Sequence, residues 1–231
     1  MRSLTLGTCG LVGEREPAQP LLTYYDGPAR VELSGSTTAN WVAKTANLLV
    51  DGYENPARVG VLLPLHWHFV VTLLAGVATG ATVVVAAEPA DLAGCDLAFV
   101  HAPQAEAARD LGVDEVLALS GHPLGVPLPS VPSMVADYAR EVPSYADHFG
   151  GPTPPTARIE LAGQSVALPA PDGWTAADRV LTDGSPASPA GLAALLRALQ
   201  AGASLVLVTG AVDLAAVTAA ERTTRDLTTA R

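Results

Sequence analysis

Cysteine is nearly missing: Cys9 and Cys95 are the only two in 231 residues. They stand far apart and show no Cys-x-x-Cys or Cys/His ligand spacing. Neither a disulfide framework nor a metal site is indicated. Lysine is scarcer still, with Lys44 alone against twelve arginines. Charged residues make up 16% of the chain and apolar ones 49%, which argues against disorder and against a coiled coil. The net charge is −10, so the basic stripe that a phosphate backbone requires is lacking, and no nucleic-acid partner is expected. No apolar run reaches the ~18 residues of a membrane span, so no membrane partner is expected either. The phosphate loops GxxxxGK[ST] and GxGxxG are absent, and so is the GxSxG elbow of hydrolases. The first twelve residues hold one arginine and a broken apolar stretch. They do not read as a signal peptide, and a cytoplasmic location is expected.

What is present reads as alternating strands and helices. Leu21–Tyr25 and Arg30–Leu33 flank Asp26-Gly27, a hairpin signal. Ser34 or Ser36 then caps a helix carrying Trp41, Val42, Thr45, Leu48 and Leu49 at helical spacing. Arg58–Leu63 is a short apolar run of the kind found in buried parallel strands. Phe69, Val70, Leu73, Leu74 and Val77 predict a helical stripe closed by Gly80, and Thr82–Ala86 a second strand. Further strands are predicted at Asp96–Val100 and Glu115–Leu119, with a helix over Ala105–Asp110 between them. Gly121–Pro132 is a Pro-rich loop, and Met134–Tyr145 is predicted to be helical. Arg158–Leu168, around Gly163, reads as another hairpin. The expected class is α/β, with parallel sheets flanked by helices in two βαβ-containing subdomains. The expected division is an extension over 1–20, a first subdomain over 21–149, a Pro/Gly linker over 150–157, and a second, partial subdomain over 158–231.

The second subdomain repeats the first in outline. Arg179–Leu181 starts a strand. Ser188 and Pro189 open a helix with Leu192, Leu195, Leu196 and Leu199 on one face, and Gly202 ends it before Ser204–Val208. From arginine to closing glycine the spacing is 22 residues after Arg58 and 23 after Arg179. Both segments then read Gly-Ala-Thr/Ser before a Val/Leu strand. A duplicated half-domain and the chance likeness of two Ala-rich βαβ units both remain open.

Two loops hold the candidate binding residues. His66 and His68 flank Trp67 just after a predicted strand, where ligands enter open parallel sheets. Asp183, Gly184, Ser185 and Ser188 occupy the equivalent loop of the second unit, where free N–H groups at a helix start favour an anion. Asp183 would repel a highly charged phosphate, so a weakly charged ligand is expected. Ordinary helix capping explains the same residues without a ligand. No third ligand stands near the two histidines, so no metal, cofactor or catalytic residue is assigned.

The stretch from Leu21 to Ala87 resembles the amino-terminal region of adenylate-forming enzymes, the acyl-CoA synthetase and adenylation-domain superfamily. The matching residues are Leu22-Thr23-Tyr24, Ala46-Asn47-Leu48-Leu49, Arg58–Pro64, Phe69-Val70 with Leu73-Leu74-Ala75, and Gly80-Ala81. Asp178–Leu181 and Leu199–Val208 are similar to the segment that follows the phosphate loop in that family. The whole chain also looks like a short family of actinobacterial proteins similar to the front part of these enzymes. The resemblance implies the fold of their amino-terminal domain and a small acyl or nucleotide ligand. The departures bear on function. The family's loop ending Pro-Lys-Gly should lie between about Thr156 and Trp174, and no lysine is found there. The later Tyr-Gly-x-Thr-Glu and Tyr-x-Thr-Gly-Asp motifs and the domain with the catalytic lysine would lie past residue 231. The expectation is therefore a degenerate, non-catalytic binding or scaffolding module, as a homo-oligomer or with a partner protein. The alternative is an acyl- or nucleotide-binding enzyme subunit that works with a partner chain.

Overall fold

The computed structural model describes residues 12–154 and 156–229. Cys9, most of the expected extension and most of the segment examined for a signal peptide lie outside the described residues. The chain opens with the expected hairpin, β1 (Pro20–Asp26) and β2 (Ala29–Ser34), turning at Gly27, whose φ is +55°. Ser34, not Ser36, caps α1 (Gly35–Asn47) by accepting from the Thr37 N–H at 3.1 Å. Then come β3 (Arg58–Leu62), α2 (Trp67–Thr79), β4 (Thr82–Val85), β5 (Leu97–His101), α3 (Ala105–Asp110) and β6 (Glu115–Leu119).

The helix predicted over Met134–Tyr145 does not form. That stretch gives β7 (Ala136–Asp137), a single turn α4 (Tyr138–Glu141) and a short 3-10 turn at Val142–Ser144. Asp137 is buried and accepts from the N–H groups of Leu128 and Ala139 and from Arg140, which fixes a strand-to-turn corner. Pro143 then restricts continuation, because its ring removes a donor. The chain goes on through β8 (Arg158–Leu161), β9 (Gln164–Ser165), β10 (Arg179–Thr182), α5 (Pro189–Gln200), β11 (Ser204–Thr209), α6 (Leu214–Glu221) and β12 (Arg225–Asp226).

Two sheets result, with orders β12-β10-β11-β1-β2 and β7-β6-β5-β3-β4-β8-β9. Every neighbouring pair is parallel except the hairpins β1/β2 and β8/β9. The fold is α/β, as expected. Strand pairing does not follow the expected division at 150–157. β8 lies beyond that segment yet pairs with β4, and β1 lies before it yet pairs with β11. Each hairpin precedes one unit in sequence and completes the sheet of the other.

The two five-stranded sets β12-β10-β11-β1-β2 and β5-β3-β4-β8-β9 have the same strand arrangement, although the hairpin comes first in the chain in one and last in the other. Arg58 pairs with Thr82, and Arg179 with Ser204. Both helices close on a left-handed glycine with the same pair of bonds. The N–H groups of Gly80 and Ala81 donate to Val77 and Gly76; those of Gly202 and Ala203 donate to Leu199 and Ala198. The helices differ in burial. Leu192, Leu195, Leu196 and Leu199 form the expected one-sided stripe of α5. All residues of α2 except Thr79 are buried, because α2 lies against α1, against β3 and β4 of one sheet, and against β1 of the other.

Candidate functional site

His66 caps α2: its Nδ1 accepts from the His68 N–H at 3.1 Å. This bond leaves the proton of neutral His66 on Nε2. The two imidazoles stack with centroids 4.7 Å apart, and both residues are nearly sealed from solvent, at 3% and 2% exposure. Tyr24 of β1 packs on His66, and Trp67 and Tyr138 pack on His68. Burial pushes the His66 imidazole down to about 4 and His68 well below its ordinary value, with His66 adding to the effect on His68. Both are therefore neutral at pH 7.

Both ring nitrogens of His68 are buried without a hydrogen-bond partner, and so is His66 Nε2 at normal bonding distance, although the His122 backbone faces the His66 ring and partly offsets the effect of burial. Such groups cost about 1–3 kcal/mol each when left unsatisfied. Beside them runs a narrow crevice lined by Leu63, Pro64, His66, His68, His101 and Ser120, among others. These residues stand at or just past the carboxyl ends of β3, β5 and β6. From β3 the chain runs to β4 on one side and then returns to β5 on the other. The crevice therefore lies at the point where the strand order reverses, which is where open α/β sheets bind ligands. The Pro-rich segment after β6 packs over Trp67 and His68. The Trp67 Nε1–H donates to the Pro123 carbonyl at 2.8 Å, and a Cβ on Gly125 would stand 2.4 Å from the His68 ring. Only glycine fits there, and its φ of +62° suits glycine as well.

The second loop is arranged differently. Asp183 accepts from the Thr229 N–H at 2.7 Å and from its hydroxyl at 3.2 Å. The Gly184 N–H donates to the Thr182 hydroxyl, and the Ser185 carbonyl accepts from the Ser188 hydroxyl and N–H. Ser188 accepts from the Gly191 N–H and caps α5. These groups satisfy one another. No hydrogen bond or ring contact joins this loop to His66 or His68 among the described residues. The structure thus brings the two histidines together, and separately Asp183 to Ser188.

Reasoning from the sequence missed His101, Ser120 and Gly125. His101 is the last residue of β5, and its position at a strand end is the signal that would have flagged it. A buried ionic cluster was also missed. Glu221 of α6 accepts from Arg30, Arg179 and Tyr25. Burial raises its pKa, but the three donors outweigh burial and hold the carboxyl down to about 2.

The fold and the crevice can be set beside known proteins. The chain is 40% identical over 211 residues to a TIGR03089 family protein of Mycobacterium tuberculosis, with 84% of each chain covered. The chain belongs to that family. No family model matches it. Among solved structures it is similar to an acyl-CoA synthetase from Brucella canis, at 15% identity and a TM-score of 0.76. It is also similar to ATP-bound MatB from Rhodopseudomonas palustris, at 15% identity and a TM-score of 0.70. These likenesses cover 98% and 97% of this chain and show its fold to be that of the amino-terminal domain of adenylate-forming enzymes. The chain spans about half of either structure, 47% and 49%.

Proposed function

We propose that the chain is a non-catalytic binding module built on the adenylate-forming fold. One observation carries this reading: the supply of cations where a phosphate loop would stand. Activating a carboxylate with ATP requires cationic donors held on the phosphates. The segment 156–174 contains no lysine, and its single arginine, Arg158, is tied to the Gly80 carbonyl. Lys44, the lone lysine, is bonded to the carbonyls of Pro143 and Tyr145. Its ammonium holds α1 to the turn after α4 and is not available to a ligand.

The proposed ligand entry is the carboxyl ends of the strands, at Leu65–His68 or Thr182–Ser188. The unpartnered imidazoles favour the first of these. A second reading, a nucleotide- or acyl-binding subunit completed by a partner chain, draws support from the half-length match to whole synthetases. Thermal unfolding with millimolar ATP, AMP and acyl-CoA separates the two. The module reading expects no shift from any of them. A rise in melting temperature with any one favours the subunit.

A further inference from the structure

We propose that Asp172 is a modification site, the one Asp-Gly pair that the fold leaves open to isoaspartate formation through a succinimide. The inference stands apart from the binding reading above. Four Asp-Gly pairs occur, at Asp26, Asp51, Asp172 and Asp183. All four carry the same local chemistry, because glycine has no side chain to shield the amide nitrogen that attacks. The fold separates them.

Three are held. The Gly27 N–H donates to the Thr209 carbonyl at 3.3 Å, and Asp26 pairs with Ala29 on one side and Thr209 on the other. Asp51 and Gly52 lie in the helical turn Leu48–Gly52, where a Cβ on Gly52 would stand 2.4 Å from the Tyr145 hydroxyl. Asp183 accepts from the Thr229 N–H and hydroxyl, and the Gly184 N–H donates to the Thr182 hydroxyl at 3.2 Å. Asp172 and Gly173 are exposed instead, and among the described residues no hydrogen bond reaches the Asp172 carboxylate or the Gly173 N–H. Their turn is held elsewhere, by the Trp174 N–H on the Pro171 carbonyl and by Arg225 on the Gly173 carbonyl, each at 2.8 Å. A Cβ on Gly173 would meet nothing within 4 Å, so a ring has room to form. At φ +32°, Asp172 also holds a left-handed conformation that disfavours a residue with a Cβ.

The step balances without a further reactant. The Gly173 nitrogen attacks Asp172 Cγ and the N–Cγ bond forms. A carboxylate oxygen leaves as water, taking the amide proton and one proton from solvent. Water then adds to the ring carbonyl next to Cα and breaks its bond to nitrogen, which returns the proton. The main chain now runs through Cγ, and the carboxylate stands on Cα. The chain is longer by one carbon, which shifts the Gly173 carbonyl against Pro171. Arg225 of β12 bonds that carbonyl and lies over the Trp174 ring, 5.0 Å from its centroid, so the edge strand loses part of its anchorage.

The test is a peptide map of the full chain aged at pH 7 in ¹⁸O-water. Isoaspartate has the mass of aspartate, so electron-transfer fragmentation identifies it, and one ¹⁸O marks passage through the ring. In the folded chain the rate at Asp172 should exceed that at Asp26, Asp51 and Asp183 by about tenfold or more, because the others must open first. In urea the four rates should converge. Asp172→Glu should abolish product at that site, since a six-membered ring closes far more slowly. Amide exchange at Thr224 and Leu227, which donate to Arg179 and Leu181, should quicken in the aged chain. Equal rates in the folded chain overturn the proposal, as does an excess at Asp172 that persists in urea or isoaspartate without ¹⁸O. Unchanged exchange at Thr224 and Leu227 overturns the link to β12.

Discussion

The two five-stranded units share a strand arrangement and differ in what stands at their reversal points. In one, neutral imidazoles are buried without close partners; in the other, Thr229 satisfies the Asp183 carboxylate, and Ser188 bonds the Ser185 carbonyl and the Gly191 N–H. The equivalent arginines differ in the same way. Arg58 reaches Glu160 near the surface, with side chains 39% and 24% exposed. Arg179 reaches Thr23 at the matching place on the neighbouring hairpin, and its carboxylate comes instead from Glu221 on α6, 6% exposed. Strand order and register recur because the glycine caps and apolar strands recur. Polar chemistry does not, because each unit places different residues on the same frame.

The largest expected effect separates the helices. Ala75→Glu on α2 buries a charge between two sheets and should cost more than about 4 kcal/mol, whereas Ala193→Glu on the half-exposed flank of α5 should stay within about 0.5 kcal/mol. Urea unfolding measures both. Equal tolerance would break the contrast between an enclosed helix and a covering one.

The ion pairs come next. Glu221→Ala leaves the partly buried Arg179 without its carboxylate and should cost about 2–4 kcal/mol, less than a fully enclosed pair because Arg30 is partly exposed. Glu160→Ala should cost under about 1 kcal/mol. The Glu221 carboxyl is depressed from 4.5 to about 2 in the fold, so its contribution is complete above pH 4.5 and is lost as the pH falls toward 2. Glu221→Gln should remove that acid dependence. Unfolding curves at graded pH would show whether it persists.

The helix-closing glycines sharpen the comparison further. Both have positive φ, so alanine at either should cost about 1 kcal/mol in strain. A Cβ on Gly202 would also stand 2.6 Å from the Glu14 carbonyl oxygen, whereas on Gly80 nothing is nearer than 3.7 Å. Gly202→Ala should therefore lower the melting temperature more than Gly80→Ala.

A further effect is small near neutral pH and grows in acid. His66 is depressed from 6.5 to about 4, so the unfolded chain binds the proton first and stability declines as the pH falls from 6.5 through 4. His66→Asn should reduce the slope and leave the part that His68 supplies. A slope unchanged in the variant would mean that His66 is not the group titrating there.

Much of the frame was legible because local signals carry it. Asp26-Gly27 marks the first hairpin, and Gly80 and Gly202 end their helices wherever tertiary packing puts them. The exchange of hairpins between sheets was not legible. An apolar strand such as Ile159 to Leu161 says that it is buried and not which neighbour buries it. α6 was missed because alanines dilute its pattern and only Val217 and Glu221 are buried. In the candidate site, His66 and His68 stood out as a pair beside a strand end. His101 did not, because the reversal of strand order that brings β5 beside β3 is a property of the sheet.

The central claim is that this adenylate-forming fold does not activate carboxylates by itself. Isotope exchange between pyrophosphate and ATP tests it most directly, with the purified chain, magnesium and a panel of carboxylic acids. Exchange should stay at background for every acid. Protein-dependent exchange above background with any of them would contradict it.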